Sequence, residues 1–521
     1  MQRKHWMLVS LGLVAIAAAA HASGCRTAAC KYDPDCGSDT SGVGGGGAGP
    51  TTVECIPSKN HETNGGPIKD ECGYFVRSSG VDTNEGTTKG KPFATITRAI
   101  EAAKAERKPI YLCAETFTEA VEIPKGIELY GGLNCAASWI YVGATKRTTI
   151  APDPDQVPIR FPNDGDGEKV HVEDVIALAA DATLPGGSSI AAIADAVTVE
   201  LVRTDLIAGA GKFGNDGTTP ADPIGPSDPA DLAIRGNAGT NACMGGMNGN
   251  PGGGMVTNIL CDTSTGGEGG WGKEGLGESG KDGTPVPSPN PLSYGTGGVG
   301  ATGAATCKSG QNGATGEEGE AGLGAVSAMG SIDFDGYKGE SGLPGAAGRP
   351  GQGGGGGGAA KGKVGCHGAS AGGGGAGGCG GKGGSGGQAG GASIALISLG
   401  ATLVFDTVKL TSAAGGSGGG GGLGQQGAVG GKGGFGGLGA MGASPTLAAC
   451  LGGDGGVGGT GGRGGGGRGG HSIGIAWTGV APPEAIMDLI VIGQPGNGGP
   501  GADASNSGAD GQAAAILALI P

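Results

Sequence analysis

The chain has 521 residues, of which 127 are glycine, and aromatic residues make up only 4%. Glycine brings no side chain to bury and loses the most conformational freedom on folding, so the glycine-rich parts exclude an ordinary hydrophobic core. The formal net charge of -14 argues against nucleic-acid binding, which depends on Lys and Arg neutralising phosphates.

The first 24 residues have the layout of a secretory signal peptide. A short basic start at residues 3–5 precedes an apolar run at 6–20, and small residues follow at 22–24. The apolar run is shorter than the roughly 20 residues that a membrane-spanning helix needs. The sequence therefore predicts export. Residues 25–52, which hold a run of four glycines and several Ser and Thr, are expected to form a flexible tether.

Cys25 directly follows Ala22, Ser23 and Gly24, and this quartet resembles a bacterial lipobox. In that motif the cysteine becomes the lipidated first residue of the mature protein. The resemblance implies a membrane anchor at Cys25 and a location at the outer membrane or cell surface. The motif prefers leucine where Ala22 stands, so plain cleavage after Ala22 or Gly24, giving a secreted protein, stays open.

The cysteine count predicts disulfide bonds. If Cys25 carries lipid, 12 of the 13 cysteines remain, and an even remainder in an exported chain is typical of disulfides. Connectivity cannot be deduced from sequence, and near neighbours are the first candidates. The candidate pairs are Cys55 with Cys72, Cys113 with Cys135, Cys243 with Cys261, and Cys366 with Cys379. A zinc site is disfavoured, because no pair has C-x-x-C spacing and the histidines form no H-x₃₋₅-H set.

Residues 53–208 carry the clearest secondary-structure signals. A helix is predicted to open at 91–96, with Pro92 in its first turn, and Phe93, Ile96, Ile100 and Ala103 fall on one face. Short apolar runs bounded by Gly, Pro or polar residues predict strands. These runs are 109–113, 120–123, 127–130, 148–150, 170–172 and 197–202.

Several short motifs in this region occur in a characteristic order. They are 79–84 (SGVDTN), 91–96 (KPFATI), 111–112 (YL), 117–119 (FTE), 129–132 (LYGG) and 149–150 (TI). Together they resemble the start of a pectin-lyase-like right-handed parallel β-helix, closest to the domain of unknown function common in exported bacterial β-helix proteins. The resemblance covers roughly residues 73–210 and implies an N-terminal capping helix followed by the first rungs. A short α+β domain without a solenoid is the alternative.

Residues 209–521 alternate apolar strand units with glycine tracts. Units beginning Ser-Ile at 189, 393 and 472 resemble one another, and 513–520 has the composition of a last strand. Repeated strand units are a solenoid signature, so we expect successive rungs with the glycine tracts as long insertions. The overall prediction is a mainly β fold: a right-handed parallel β-helix with a capping helix and glycine-rich insertions.

The glycine connections are far longer than ordinary loops, which counts against a compact fold. Stacked polyglycine-II strands would remove that objection, since strands without Cβ atoms can approach closely. Collagen is an alternative, because residues 336–351 keep glycine at every third position. The repeat is lost by residue 360, however, and a triple helix needs sustained repeats and three chains.

Few residues suggest chemistry. The β-helix family includes polysaccharide lyases that bind calcium through clustered acidic residues, and Asp164, Asp166 and Glu168 are the candidate calcium ligands here. A solvated acidic turn is the competing interpretation. No cofactor other than calcium is indicated. The stretch 368–372 matches the G-x-S-x-G nucleophile motif by letter, but it lies in a glycine tract without the strand and helix that the motif requires.

Two functions are compatible with these features. The first is a non-catalytic structural, adhesive or matrix role in the cell envelope, and the chain resembles the glycine-rich (PGRS-type) lipoproteins of myxobacteria. Its expected partners are the membrane, through the lipid, and polysaccharide or other cell-surface components. The alternative is a carbohydrate-binding or polysaccharide-cleaving β-helix, for which Trp139, Trp271 and Trp477 are the possible sugar platforms.

Overall fold

The computed structural model describes residues 55–519 except 167, 223, 245, 262, 328, 443–444 and 484–489. The predicted signal peptide, Cys25 and the predicted tether lie outside the described residues.

Three parallel sheets form the body of the fold. The first contains, in order, β1 (Tyr74–Val76), β2 (Ile110–Cys113), β5 (Glu128–Asn134), β9 (Lys169–Glu173), β12 (Thr198–Val202) and β17 (Thr402–Asp406), and the short β6 (Ile140–Tyr141) pairs antiparallel with β5. The second contains β3 (Thr116–Phe117), β7 (Thr148–Ile150), β10 (Val175–Leu178), β13 (Asp205–Ile207), β18 (Lys409–Thr411) and β20 (Ile490–Val491). The third contains β4 (Val121–Glu122), β8 (Ile159–Phe161), β11 (Ser189–Asp195), β16 (Ser393–Leu399), β19 (Ser472–Thr478) and β21 (Ala513–Ala518).

Successive strands of the chain join the three sheets in a repeating order. β11, β12 and β13 enter the third, first and second sheets, and β16, β17 and β18 repeat that order one layer further on. This is a parallel β-helix. Inward positions stack in register along the solenoid: Ile110, Leu129, Val172 and Leu201 form one such line, and all are at most 1% exposed. These aliphatic lines supply the hydrophobic core that the glycine-rich parts lack.

Two helices lie near the start of the described chain, α1 (Pro57–Glu62) and α2 (Ile96–Glu106). α2 begins later than the sequence predicts, because Thr95 is its N-cap and accepts a hydrogen bond from the Arg98 amide. Pro92 therefore precedes the helix and does not occupy its first turn. The predicted apolar face is buried against β1 and β2.

A serine marks the corner where the chain leaves the second sheet and enters the third. Ser189, Ser393 and Ser472 open three successive strands of the third sheet and lie in register. Their hydroxyl oxygens accept hydrogen bonds from the amides of Gly209, Ala413 and Gly493, which follow strands of the second sheet. This contact joins the start of each three-strand coil to the chain that leaves it. In the glycine-rich excursion that follows β13 lies a hairpin, β14 (Ser331–Asp333) and β15 (Gly336–Lys338), packed on the third sheet.

The described residues of the glycine-rich segments 209–326, 342–392, 412–442, 445–470 and 493–512 associate side by side through backbone hydrogen bonds, and we call this assembly the glycine array. Its regularity is clearest between the segments 342–357 and 372–387, which run antiparallel. Every third amide of the first donates to a carbonyl of the second: Gly342 to Gly387, Gly345 to Gly384, Gly348 to Gly381, Gly351 to Gly378, Gly354 to Gly375 and Gly357 to Gly372, all at 2.8–2.9 Å. A three-residue period is that of a polyproline-II-type helix.

The interior of the glycine array is made of backbone. Residues 351–360 and 368–379 are buried throughout, although nearly all are Gly or Ala. A Cβ built on Gly356 would stand 1.9 Å from the Glu268 carbonyl oxygen, and one on Gly380 would stand 1.8 Å from that of Gly348. The collagen alternative is wrong, because residues 342–351 pair with segments of the same chain.

Five disulfide bonds lie in the described residues. The predicted pairs Cys55–Cys72 and Cys113–Cys135 form in the β-helix part. The other two predicted pairs are wrong. Cys243 bonds to Cys366 and Cys261 to Cys379, while Cys307 bonds to Cys450. Near-neighbour pairing fails in the glycine array because the segments that carry the bonded cysteines are more than a hundred residues apart in sequence.

Candidate functional site

Aromatic side chains form a ladder on the outer face of the first sheet. Phe75, Tyr111 and Tyr130 occupy matching outward positions on three neighbouring strands, with ring centroids 5.4 and 5.8 Å apart. The imidazole of His171 continues the ladder, 5.2 Å from the Tyr130 ring. Trp139 packs its edge on Phe75 at 5.0 Å. Such pairs add stability beyond the area they bury.

The segment between Cys55 and Cys72 covers this ladder. The Tyr111 hydroxyl donates to the Cys55 carbonyl at 2.7 Å, and the Ser58 hydroxyl donates to the Glu173 carboxylate at 2.5 Å. The disulfide closes the segment into a loop. Tyr111 is consequently fully buried, and burial raises the pKa of its hydroxyl. The covering loop thus shields what would otherwise be an exposed aromatic face.

His171 lies between two carboxylates on the same face. Its Nε2 is 3.2 Å from Glu173 Oε2, and its Nδ1 is 3.1 Å from Glu200 Oε2. Burial alone would lower the pKa of His171, but the hydrogen bonds to both carboxylates raise it above its usual value. Because ionised carboxylates only accept hydrogen bonds, the two contacts favour the imidazolium form, in which both ring nitrogens donate.

Arg203 and Lys169 together balance the remaining negative charge. Its guanidinium donates to both carboxylate oxygens of Asp174, at 3.0 and 2.8 Å, and to Glu173. Burial raises the pKa of Glu173, yet the hydrogen bonds from His171 and Ser58, and then the charge of Arg203, hold it below its usual value. On the open side, the Lys169 ammonium donates to Glu200 at 2.5 Å and lowers the pKa of that carboxyl. We call Lys169, His171, Glu173, Asp174, Glu200 and Arg203 the ion cluster.

The ion cluster binds the covering loop to the first sheet through the hydrogen bond from Ser58 to Glu173. Its charged groups are hydrogen-bonded to one another or to the covering loop. The Ser58 hydroxyl is 7% exposed and its partner Glu173 is 4% exposed, so the covering loop shields both from solvent. Ion pairs enclosed in this way are costly to break, because removing one partner leaves the other buried and unpaired.

Replacing His171 by glutamine is expected to destabilise the protein most at acidic pH. The raised pKa of His171 means that its stabilisation is fully present below about pH 6.5, the pKa in the unfolded chain, and is lost as the pH rises through the higher folded value. Urea unfolding should show a loss of about 2 kcal/mol at pH 6 and a smaller loss at pH 9. His61→Gln, at an exposed histidine, is the control; a pH-independent loss in His171→Gln would contradict the cationic assignment.

The three candidate calcium ligands are not all brought together. Asp166 pairs with Arg107 at 3.7 Å, and Asp164 and Asp166 line a hollow shared with Lys104 and Lys125. Glu168 lines a different hollow. In the part of the chain that the structure describes, no three His, Cys, Asp or Glu side chains group as a metal would require. The calcium prediction gains no support from this geometry.

The other predicted residues are placed as follows. Trp139 is 3% exposed and cannot serve as a sugar platform. Trp271 donates its indole N–H to Glu268 at 3.2 Å, and Trp477 packs against the core of the solenoid. Ser370, the serine of the G-x-S-x-G match, is fully buried in the glycine array and donates to the Pro251 carbonyl, so it is no exposed nucleophile. Cys25 lies outside the described residues.

Sequence reasoning did not single out His171, Glu200, Arg203 or Ser58. The available signal was the alternation of polar and apolar residues in 169–173 and 198–202, which places His171 and Glu200 on one face of adjacent strands. The sequence does not show that residues 55–72 cover this face, and without that information the same charged residues indicate a solvated surface.

Residues 78–186 match the family described as "Protein of unknown function (DUF1565)", which is associated with parallel β-helix proteins. This span agrees with the region where the sequence resembles a β-helix, and the parallel sheets fit it. No curated protein and no solved structure matches the chain. The five disulfides favour an extracellular or exported protein. Among the described residues, no helix is both long and apolar enough to cross a membrane.

Proposed function

We propose that the chain is a non-catalytic structural protein of the cell envelope, in which the β-helix carries the glycine array as a stiff surface element for adhesion or matrix contacts. The observation that carries this proposal is the enclosed backbone core of the array at 351–360 and 368–379. A body held by regular backbone hydrogen bonds and three disulfides has the rigidity of a spacer or scaffold. The mutual pairing of the charged groups in the ion cluster supports a non-catalytic role.

We also infer a lipid anchor at Cys25. Ten of the thirteen cysteines pair within the described residues, which leaves Cys25, Cys30 and Cys36. Three cysteines cannot all pair with one another, and acylation of Cys25 would leave Cys30 and Cys36 for a sixth bond. The chain would then belong to the outer membrane or cell surface. The right-handed solenoid would be capped by α2, which packs on β1 and β2, its first two strands in that sheet.

Fractionation of cells tests the anchor. Wild-type protein should fractionate with membranes and start at an acylated Cys25 by mass spectrometry, whereas Cys25→Ser should be released. Ser23→Ala, which leaves the cysteine in place, is the matched control and should stay with the membranes. A wild-type protein that begins at Ser23 without lipid would contradict the anchor.

Complementation tests the role. Cells lacking the protein should lose surface adhesion or matrix cohesion, and wild-type protein should restore it. A variant that disrupts only the glycine array, such as Gly374→Ala, should not, while the exposed control Gly254→Ala should. Depolymerisation of acidic polysaccharides by the purified protein, with or without calcium, would replace the structural role by an enzymatic one.

A further inference from the structure

His471 lies at a junction, between the end of the segment 445–470 of the glycine array and the start of β19, and its side chain is fully buried. The imidazole contacts two elements that pack against β19. One is the chain that leads into the hairpin of β14 and β15, through Met329, and the other is the chain that leads into β21, through Gln512. A single side chain therefore joins both elements to the solenoid.

The two contacts determine the tautomer of the imidazole. The Met329 carbonyl lies 2.7 Å from Nε2 and can only accept a hydrogen bond, so Nε2 carries the proton. The Gln512 amide lies 2.8 Å from Nδ1 and can only donate, so Nδ1 presents its lone pair. His471 is therefore neutral, and both of its ring nitrogens are hydrogen-bonded to backbone groups.

A second proton on this ring can bind only at Nδ1. The new N–H would face the N–H of Gln512, so two donors would meet without an acceptor between them. The hydrogen bond from Nε2 to Met329 is compatible with both protonation states. Protonation of His471 therefore breaks the contact with the chain entering β21 and leaves the contact with the hairpin intact.

The surroundings of His471 disfavour a positive charge on its ring. Burial lowers the pKa of His471 below its usual value, and the nearby guanidinium of Arg468 lowers it further, against the opposing effect of the hydrogen bond to Met329. The hairpin contributes the ring of Tyr337, which meets the imidazole edge-on at 5.5 Å.

The carboxylates on the elements packed against His471 have other partners. Those of Glu340, which follows the hairpin, and Asp510, which precedes β21, accept hydrogen bonds from other groups of the chain. Within the hairpin, Asp333 pairs with Lys338 at 2.7 Å. In the part of the chain that the structure describes, no carboxylate is hydrogen-bonded to the His471 ring, so none compensates a charge there.

We propose that His471 is an acid-sensitive contact: when Nδ1 takes up a proton, the Gln512 amide is repelled, β21 separates from β19, and β19 becomes the edge of the third sheet. An edge strand presents unpaired backbone groups that can pair with another extended chain. Among the described strands β21 pairs with β19 alone, and its residues 514–518 are only partly buried. Its separation therefore leaves the rest of the solenoid in place. This inference is independent of the proposed anchor and of the structural role.

The direction of the pKa sets the pH range of the change. The usual pKa of histidine, about 6.5, applies once β21 is released, and the value is lower while β21 is in place. The released state therefore binds the extra proton. The docking of β21 is fully stable above about pH 7 and weakens as the pH falls below about 6.5. The equilibrium constant for release should rise about tenfold for each pH unit in that range, hence about 30-fold by pH 5.

Hydrogen exchange of the full chain, measured by peptide mass spectrometry from about pH 8 to about pH 5 and corrected for the intrinsic exchange rate, tests the proposal. The amides of 512–519 should lose protection about 30-fold, while those of the hairpin at 331–338 keep theirs. In His471→Gln, whose side-chain amide does not titrate, the protection of 512–519 should be the same at every pH, whatever its level. His61→Gln, at an exposed histidine, should retain the pH dependence of the wild type.

Constant protection of 512–519 over the whole pH range in the wild type would overturn the proposal. A joint loss of protection in 331–338 and 512–519 would do the same, because it would indicate general acid unfolding instead of the release of one strand. A pH dependence that persists in His471→Gln would assign the effect to another titrating group.

Discussion

Gly374→Ala is expected to lower the free energy of unfolding by about 3 kcal/mol or more. The added Cβ would stand 1.8 Å from the Gly354 carbonyl oxygen and 2.5 Å from its carbonyl carbon, closer than any real Cβ contact. Both neighbours are backbone in the enclosed part of the array, so no side chain can rotate away. The segments would have to separate, which breaks the hydrogen bond from the Gly374 amide to Gly267 and those around it.

Gly254→Ala is the matched control. This glycine also lies in the glycine array, but it is exposed, and the nearest atom to its added Cβ is the side-chain amide nitrogen of Asn237 at 3.7 Å. We expect a change within about 0.5 kcal/mol. Urea unfolding followed by tryptophan fluorescence, to which Trp271 of the array contributes, measures both variants. Equal midpoints would mean that close carbonyl packing does not hold the array together.

The β-helix could be predicted from sequence because its strands have a recognisable, repeated pattern of side chains. The repeated Ser-Ile starts at 189, 393 and 472 indicated equivalent strands, and these strands lie in register in the third sheet. What the repeat did not reveal is why serine recurs: its hydroxyl binds the amide of the chain leaving the second sheet. That contact joins residues about twenty apart and depends on the solenoid being closed.

For the glycine array, the sequence predicted only the type of packing, namely closely spaced polyglycine-II strands. Glycine has no side chain, so its pattern shows that close approach is possible but not which segments approach each other. Because the sequence does not show which segments are neighbours, the predicted partners of Cys243 and Cys366 were wrong; their actual partners are fixed by the order of segments in the array. The ion cluster escaped prediction for a different reason. Its burial depends on the loop closed by Cys55 and Cys72, which is distant in sequence from His171.

Removal of two neighbouring disulfides of the glycine array is expected to cost more than the two single removals combined. Cys243–Cys366 and Cys261–Cys379 close overlapping, interleaved loops with sequence separations of 123 and 118. While one bond remains, the other bond closes a short covalent loop that runs through the remaining bond and contains on the order of 30 residues. Removing the first bond therefore costs about 3.7 kcal/mol of loop entropy. When both are absent, the second loss involves a loop of more than a hundred residues, worth about 4.9 kcal/mol.

Alanine pairs therefore should give losses of about 3.7 kcal/mol for either bond alone and about 8.6 kcal/mol for both, a coupling of about 1.2 kcal/mol. Chemical denaturation of the three variants and the wild type completes the cycle. Removal of Cys55–Cys72, which spans 17 residues outside the array, is the control and should add to either single loss without coupling. Strict additivity of the two array bonds would show that the unfolded glycine segments do not behave as flexible loops, because only the shared loop makes the bonds interdependent.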